Sequence, residues 1–152
     1  DYYVFVSSFL FTSYFVENSR IIMETILMVQ VLGALFGLLA VIFGAFGAHT
    51  LKKKLSGAQM QSYETGIKYQ MYHAILLLVL GFNMGFSTAA ERYMAYCFVL
   101  GIVFFSFSIY GLILTESKGR KWRFLGPVTP LGGLLLVIGW ALLIYSFLIN
   151  MF

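Results

Sequence analysis

"TILMVQVLGALFGLLAVIFGAFGAHTLKKK", residues 25–54, is an apolar run that ends in a histidine and three lysines. From Thr25 to Ala48 the run contains no Asp, Glu, Lys or Arg, and it exceeds the roughly 20 apolar residues that a helix needs to cross a bilayer. Because lipid offers no partners to unpaired backbone groups, such a run predicts a transmembrane helix. The lysines that follow are expected to anchor its end among lipid headgroups.

The composition of the whole chain supports this interpretation. Hydrophobic residues make up 61% of the 152 residues and charged residues only 11%, with a mean hydropathy of +0.89. Soluble domains carry about 25% charged residues, so the sequence predicts an integral membrane protein. The net charge of +4 in so apolar a chain favours contact with the lipid bilayer over binding to nucleic acid.

Three further apolar runs predict three further spans. They are followed or preceded by polar connections, and none contains an Asp, Glu, Lys or Arg. We therefore predict an all-α fold, an integral membrane four-helix bundle formed by residues 23–152. Its predicted spans are 25–48, 71–87, 93–115 and 129–149.

Local signals place the ends of two helices. Thr129 followed by Pro130 is typical of a helix N-cap with proline at the first helical position. Ser56 is a candidate cap for a helix whose apolar residues recur at helical spacing. These residues predict a short interfacial helix between the first two spans; its apolar positions are Met60, Tyr63, Ile67 and Met71.

Basic residues predict the orientation of the bundle. Eight of the ten lie in the first and third connections, and Arg20 and Arg92 are the other two. By the positive-inside rule, these two connections face the cytoplasm or matrix and both termini lie outside. The predicted membrane anchors are Lys52, Lys53, Lys54, Arg120, Lys121 and Arg123, with Lys68 and Lys118 on the same side.

Residues 1–22 form an aromatic N-terminal extension that does not fit the four spans. The stretch "DYYVFVSSFLFTSYFV" is short for a span. It also lacks the preceding basic region that a signal peptide has. We expect an interfacial or partner-bound segment. Because Met23 would suffice to start a compact four-helix protein, residues 1–22 are interpreted as an extension, a processed end or a separately assigned stretch.

Small residues recur at intervals of three and four on the first and fourth predicted spans. Such strips let helix backbones approach closely in lipid, so we predict that they pack the bundle. An alternative is that the glycines nearest the cytoplasmic end leave room for a ligand or an ion. The predicted packing positions are Gly33, Gly37, Gly44, Gly47, Gly132, Gly133 and Gly139.

A small set of polar residues is predicted to lie at one face of the membrane. His73, about one turn inside the second span, is the best single candidate for a functional residue. Two histidines and one glutamate fall short of a zinc site, and no HxxxH or HExxH spacing occurs, so neither a metal nor a cofactor is expected. A hydrogen-bonded cluster that joins helix ends and a proton or substrate path both stay open. The candidate cluster is His49, Glu64, Tyr69, Gln70, His73 and Thr129.

Four motifs in order, "GAFGAHTL", "TGIKYQMYHAI", "FSFSIY" and "TPLGGLLLVIGWALL", resemble the domain of unknown function 423 family, which is related to the eukaryotic transmembrane protein 256. The resemblance covers about Val31 to Tyr145. It implies a four-helix protein of the bacterial inner membrane or, alternatively, the mitochondrial inner membrane, with no established activity, substrate or cofactor. The aromatic extension has no recognised counterpart. The family's polar signature falls on His49, Thr65, Gly66, Tyr69, Gln70, His73, Ser106, Ser108, Tyr110, Thr129 and Pro130.

Three classes of function follow from these features. The first is an accessory or structural subunit that packs against other membrane protein subunits. The second is a small transporter, channel or lipid-binding protein, as a homo-oligomer, that uses the end with His49 and His73. The third, an enzyme, is not expected, because no GxSxG, CxxC or phosphate-binding motif occurs. Proton-coupled export is disfavoured because all carboxylates lie outside the predicted spans: Asp1, Glu17, Glu24, Glu64, Glu91 and Glu116.

Overall fold

The computed structural model describes residues 2–120 and 122–149, and within these ranges the fold is helical, without strands. Short 3-10 turns at Leu51–Lys53 and Arg123–Leu125 precede the second and the last helix. The helices are α1 (Tyr2–His49), α2 (Gly57–Asn83), α3 (Ala89–Ile102), a π-helical turn (Val103–Phe107), α4 (Ser108–Glu116) and α5 (Val128–Ile149).

Helix α1 contains both the aromatic extension and the first predicted span. No glycine or proline occurs before Gly33, and Arg20 and Glu24 form an ion pair of 2.8 Å one turn apart. The helix therefore continues without a break through the predicted boundary at residue 22. Its 48 residues make it about 72 Å long, more than twice the roughly 30 Å hydrocarbon core of a bilayer.

The prediction of a separate short interfacial helix is wrong, because these residues are the first part of α2. The segment after Ser56 and the second predicted span are one continuous helix, because no proline intervenes and the start is fixed by a capping box between Ser56 and Gln59. The helix ends at Asn83, four residues before the predicted end of the span. The chain then turns, with Phe86 at a positive φ of 49°.

The third predicted span is interrupted. It begins at Ala89, after a capping box between Thr88 and Glu91, and the π-helical turn Val103–Phe107 separates α3 from α4. The helix of the fourth span begins at Val128, one residue before Thr129. The prediction that Thr129 is the N-cap is wrong, because Thr129 lies within the helix. Its hydroxyl contacts the Ser108 hydroxyl of α4.

The helices pack as two hairpins. Helix α1 lies along α2, and α3 lies along α5. One apolar core, which includes Leu77 and Phe98, joins both hairpins, and a second core surrounds Tyr63 and Tyr110 near the basic end.

Three helical stretches are long and apolar enough to cross a membrane. Within the described residues they are Phe9–Lys53, Ala89–Glu116 and Arg123–Ile149. Helix α2 is not among them, because its first half carries exposed polar residues such as Glu64 and Lys68. The structure thus supports a membrane protein with at least these three apolar helices.

The predicted packing glycines differ in how closely they are approached. A Cβ on Gly132 would collide with the backbone of Phe104 and Phe105, and one on Gly139 would lie 2.8 Å from the Phe98 ring. A Cβ on Gly47 would lie 2.7 Å from the Tyr63 ring, and one on Gly33 3.2 Å from the Ala74 carbonyl oxygen. Ordinary contact distances of 3.7–4.0 Å occur at Gly37, Gly44 and Gly133.

Replacing Gly132 by alanine should therefore destabilise the protein, whereas Gly133→Ala should not. The backbone of the π-helical turn leaves no space at Gly132, so overpacking should cost about 1–3 kcal/mol of unfolding free energy. Unfolding by SDS titration in mixed micelles measures the difference. Equal stability of the two variants would contradict the close approach of α5 to the π-helical turn.

Candidate functional site

A buried glutamine bridges three helices in the middle of the molecule. The Gln70 side chain is 0% exposed. Its Nε2 donates to the Phe36 carbonyl oxygen of α1 at 2.8 Å, and its Oε1 accepts from the Tyr110 hydroxyl of α4 at 2.9 Å. An unpaired amide would be costly at this depth, so the three helices are held in one register by a fully paired group.

Two further side-chain hydrogen bonds tie α2 to its neighbours. Ser106, inside the π-helical turn, donates to the Gly66 carbonyl oxygen at 2.8 Å and is completely buried. Tyr63 donates to the Phe43 carbonyl oxygen of α1 at 3.1 Å. Gly66 also lets the Tyr110 ring approach, since a Cβ there would lie 2.7 Å from that ring. π-helical turns are rare and frequently occur at functional sites.

His73 is buried and both of its ring nitrogens are engaged. Its Nδ1 lies 2.8 Å from the Tyr69 carbonyl oxygen, and its Nε2 accepts from the Trp140 indole at 3.2 Å. Because a carbonyl only accepts and an indole N–H only donates, this geometry requires a neutral imidazole with its proton on Nδ1. Trp140, 46% exposed, links the ring to the outer surface of α5.

The predicted polar cluster is divided by the structure. Gln70 and His73 are buried, and the Tyr69 ring stacks on His73 with centroids 6.1 Å apart. The Thr129 hydroxyl is instead 2.7 Å from the Ser108 hydroxyl. Glu64 is exposed near the start of α2.

His49 is exposed at the end of α1 and lies far from His73. Gly37 packs on Ala74, the neighbour of His73, and His49 follows Gly37 by twelve residues. That separation is about 18 Å along the helix axis. The two histidines therefore share no direct contact.

The predicted membrane anchors are exposed where the structure describes them. Lys52, Lys53 and Lys54 surround the turn after α1, and Arg120 and Arg123 lie between α4 and α5. Lys121 lies outside the described residues. The described residues contain no group of three His, Cys, Asp or Glu side chains placed to hold a metal ion.

Trp140 and Tyr63 are site residues that the sequence reasoning did not single out. Trp140 follows Gly139, which is one of the buried residues of α5. An indole N–H inside a membrane needs a hydrogen-bond acceptor, so the sequence indicates a polar contact for Trp140 but does not identify His73 as its partner. Tyr63 was treated as an apolar position of the short helix.

Long apolar helices closed around a paired polar interior define a multi-pass helical membrane protein. Residues 43–133 match the family described as "Protein of unknown function (DUF423)", and the chain belongs to this family. The resemblance seen in the four sequence motifs is thereby confirmed.

Similar proteins occur in bacteria and carry the name UPF0382 membrane protein. A UPF0382 membrane protein of Staphylococcus haemolyticus (strain JCSC1435) is 43% identical over 116 residues, which is 76% of this chain and 91% of the relative. Relatives in Staphylococcus epidermidis (strain ATCC 12228) and Staphylococcus aureus (strain bovine RF122) are 44% and 42% identical over the same shares. No solved structure matches the chain.

The contacts of His73 predict different coupling with its two candidate partners. His73→Ala and Trp140→Phe should be non-additive by roughly 0.5–1.5 kcal/mol of unfolding free energy, because each removes one end of the same hydrogen bond. His49→Ala and His73→Ala should add within about 0.5 kcal/mol. SDS-titration unfolding of the two double-mutant cycles distinguishes these cases. Coupling between the histidines, or none between His73 and Trp140, would contradict the structure.

Proposed function

We propose that this membrane protein is an accessory or structural subunit of a larger membrane assembly, without an enzymatic activity of its own. The observation that carries the proposal is the first part of α1. Beyond the segment that covers a bilayer, the helix continues with exposed apolar side chains on most of its circumference, interrupted by Thr12 and Ser13. The exposed apolar residues are Phe9, Leu10, Phe11, Tyr14, Phe15 and Val16.

The shape of this segment favours a protein partner. Large exposed apolar patches mark interaction sites, and this segment carries six large exposed apolar side chains within eight residues. Glu17 and the Arg20–Glu24 pair separate the segment from the membrane part of α1. The aromatic extension is therefore suited to insert between helices of another subunit while the bundle stays in lipid.

The proposal includes four spans, a bacterial inner membrane and both termini outside. Support for α2 as the fourth span comes from its packing along α1 and from its exposed apolar residues Ile75, Val79 and Phe82. Support for the orientation comes from the lysines and arginines at the turns after α1 and α4. The staphylococcal relatives support a bacterial membrane.

A second candidate, lipid binding, is supported by a cavity of about 390 Å³ at the basic end. It lies between α2, α4 and the start of α5, and hydroxyl groups and aliphatic side chains share its wall. Such a lining suits the boundary between headgroup and acyl chain. His49 and His73 do not line it; Ser62, Thr65, Ile109, Leu112, Ile113, Glu116 and Thr129 do.

Site-specific photo-crosslinking in intact cells tests the subunit proposal. A photoreactive residue in place of Phe11, which is 72% exposed, should yield one product of constant added mass that contains another membrane protein. The matched control replaces Phe82, which is 74% exposed on α2, and should yield no such product.

Purification in mild detergent complements the crosslinking. Recovery with the crosslinked protein in fixed ratio is the expected result. The subunit proposal is overturned if position 11 crosslinks only to lipid or to a second copy of the chain and the purified protein is a homo-oligomer without other proteins. That outcome would favour the lipid-binding candidate.

A further inference from the structure

Glu91 is a carboxylate in an unexpected place. It lies outside the predicted spans, yet its side chain is 6% exposed, and it is the only acidic residue among the buried side chains of the described ranges. It stands in the first turn of α3, at the end of the bundle opposite the lysines. Burying a carboxylate is costly unless its charge is compensated.

Helix capping does not explain why this residue is charged. Glu91 Oε2 accepts from the Thr88 backbone N–H at 3.2 Å and from the Ser87 hydroxyl at 3.4 Å. At the start of α2, Gln59 makes the equivalent bond to the Ser56 N–H at 3.0 Å. An amide thus completes the same capping box in the same protein, so the cap does not require a charge.

The charge has no cationic partner within residues 2–120 and 122–149. The nearest basic residue in sequence, Arg92, donates to the carbonyl oxygens of Phe86 and Ser87 and not to Glu91. The positive end of the α3 dipole adds a modest stabilisation of a negative charge at Glu91. Glu91 Oε1 makes no hydrogen bond to any of the described residues.

Glu91 lines a cavity of about 290 Å³ between α3 and α5. The other lining residues are Thr88, Ala90, Tyr145, Ser146 and Ile149. The Ser146 hydroxyl donates to the Leu142 carbonyl oxygen, so its oxygen is available as an acceptor toward the cavity. The volume is at the small end of known ligand pockets, roughly 300–1,000 Å³.

These groups fit one chemical class. A carboxylate and several hydroxyl oxygens accept hydrogen bonds from an ammonium group, and an aromatic ring such as that of Tyr145 attracts its positive charge. The described residues hold no set of three His, Cys, Asp or Glu side chains for a metal. We propose that this cavity binds an organic ammonium group, with Glu91 as its counter-ion and Tyr145 as its aromatic wall.

Two sources could supply the ammonium group at the end of a membrane bundle: the headgroup of an aminophospholipid and a free small amine. Two arms of one experiment on the purified full chain distinguish them. In the first, native mass spectrometry measures the lipid retained from vesicles of equal phosphatidylethanolamine and phosphatidylglycerol. In the second, the thermal unfolding of delipidated protein is followed with ethanolammonium chloride against sodium chloride at equal concentration.

The expected result is preferential retention of phosphatidylethanolamine, stabilisation by ethanolammonium, or both. Glu91→Gln should weaken that binding at least roughly tenfold, while its stability without the ligand should not fall, because glutamine retains the cap and removes the buried charge. Tyr145→Leu should weaken it roughly threefold and keeps the proposal testable if Glu91→Gln does not fold.

The reciprocal variant Gln59→Glu is the matched control, since it places a carboxylate in a capping box without this cavity. It should add no ammonium binding. The proposal is overturned if the unchanged chain prefers neither probe, if Glu91→Gln binds as the unchanged chain does, or if Gln59→Glu gains the same affinity. In each case Glu91 would serve only as a helix cap.

Discussion

The fold depends on one side chain, the amide of Gln70. Helices in lipid gain little from hydrophobic association, so close packing and interhelical hydrogen bonds decide which arrangement forms. Gln70 joins the backbone of α1 to the hydroxyl of Tyr110 in α4, and Gly66, one turn earlier in α2, makes room for the Tyr110 ring. Ser106, in the π-helical turn, donates a hydrogen bond to the Gly66 carbonyl oxygen. These contacts all lie within one turn of α2, between Gly66 and Gln70.

Hydropathy predicts most of the helices, but it does not predict the hydrogen bonds between them. The end of α1 at His49 and the start of α5 near Thr129 could be predicted to within a residue or two, because the apolar runs end there. The pairing of Gln70 with Tyr110 spans 40 residues, and the contact of His73 with Trp140 spans 67; no local pattern encodes such partners. The burial of Glu91 was missed because a hydropathy boundary at residue 93 ignored the turn of α3 that its capping box adds.

The structure also changes where function is sought. The predicted cluster of His49 and His73 separates into an exposed helix end and a closed, fully paired interior. A neutral His73, held between Tyr69 and Trp140, links α2 to α5 through one side-chain hydrogen bond. The features left for partners and ligands are at the periphery: the aromatic extension of α1 and the cavities at the two ends of the bundle.

A double-mutant cycle between Gln70→Met and Tyr110→Phe measures whether Gln70 holds α1, α2 and α4 in register. SDS-titration unfolding of the four proteins gives the coupling energy. The structure predicts that Tyr110→Phe destabilises the unchanged chain but has little effect beside methionine, with a coupling of roughly 1 kcal/mol. Additive effects of the two changes would contradict the account, because the Gln70–Tyr110 hydrogen bond would then contribute nothing to the fold.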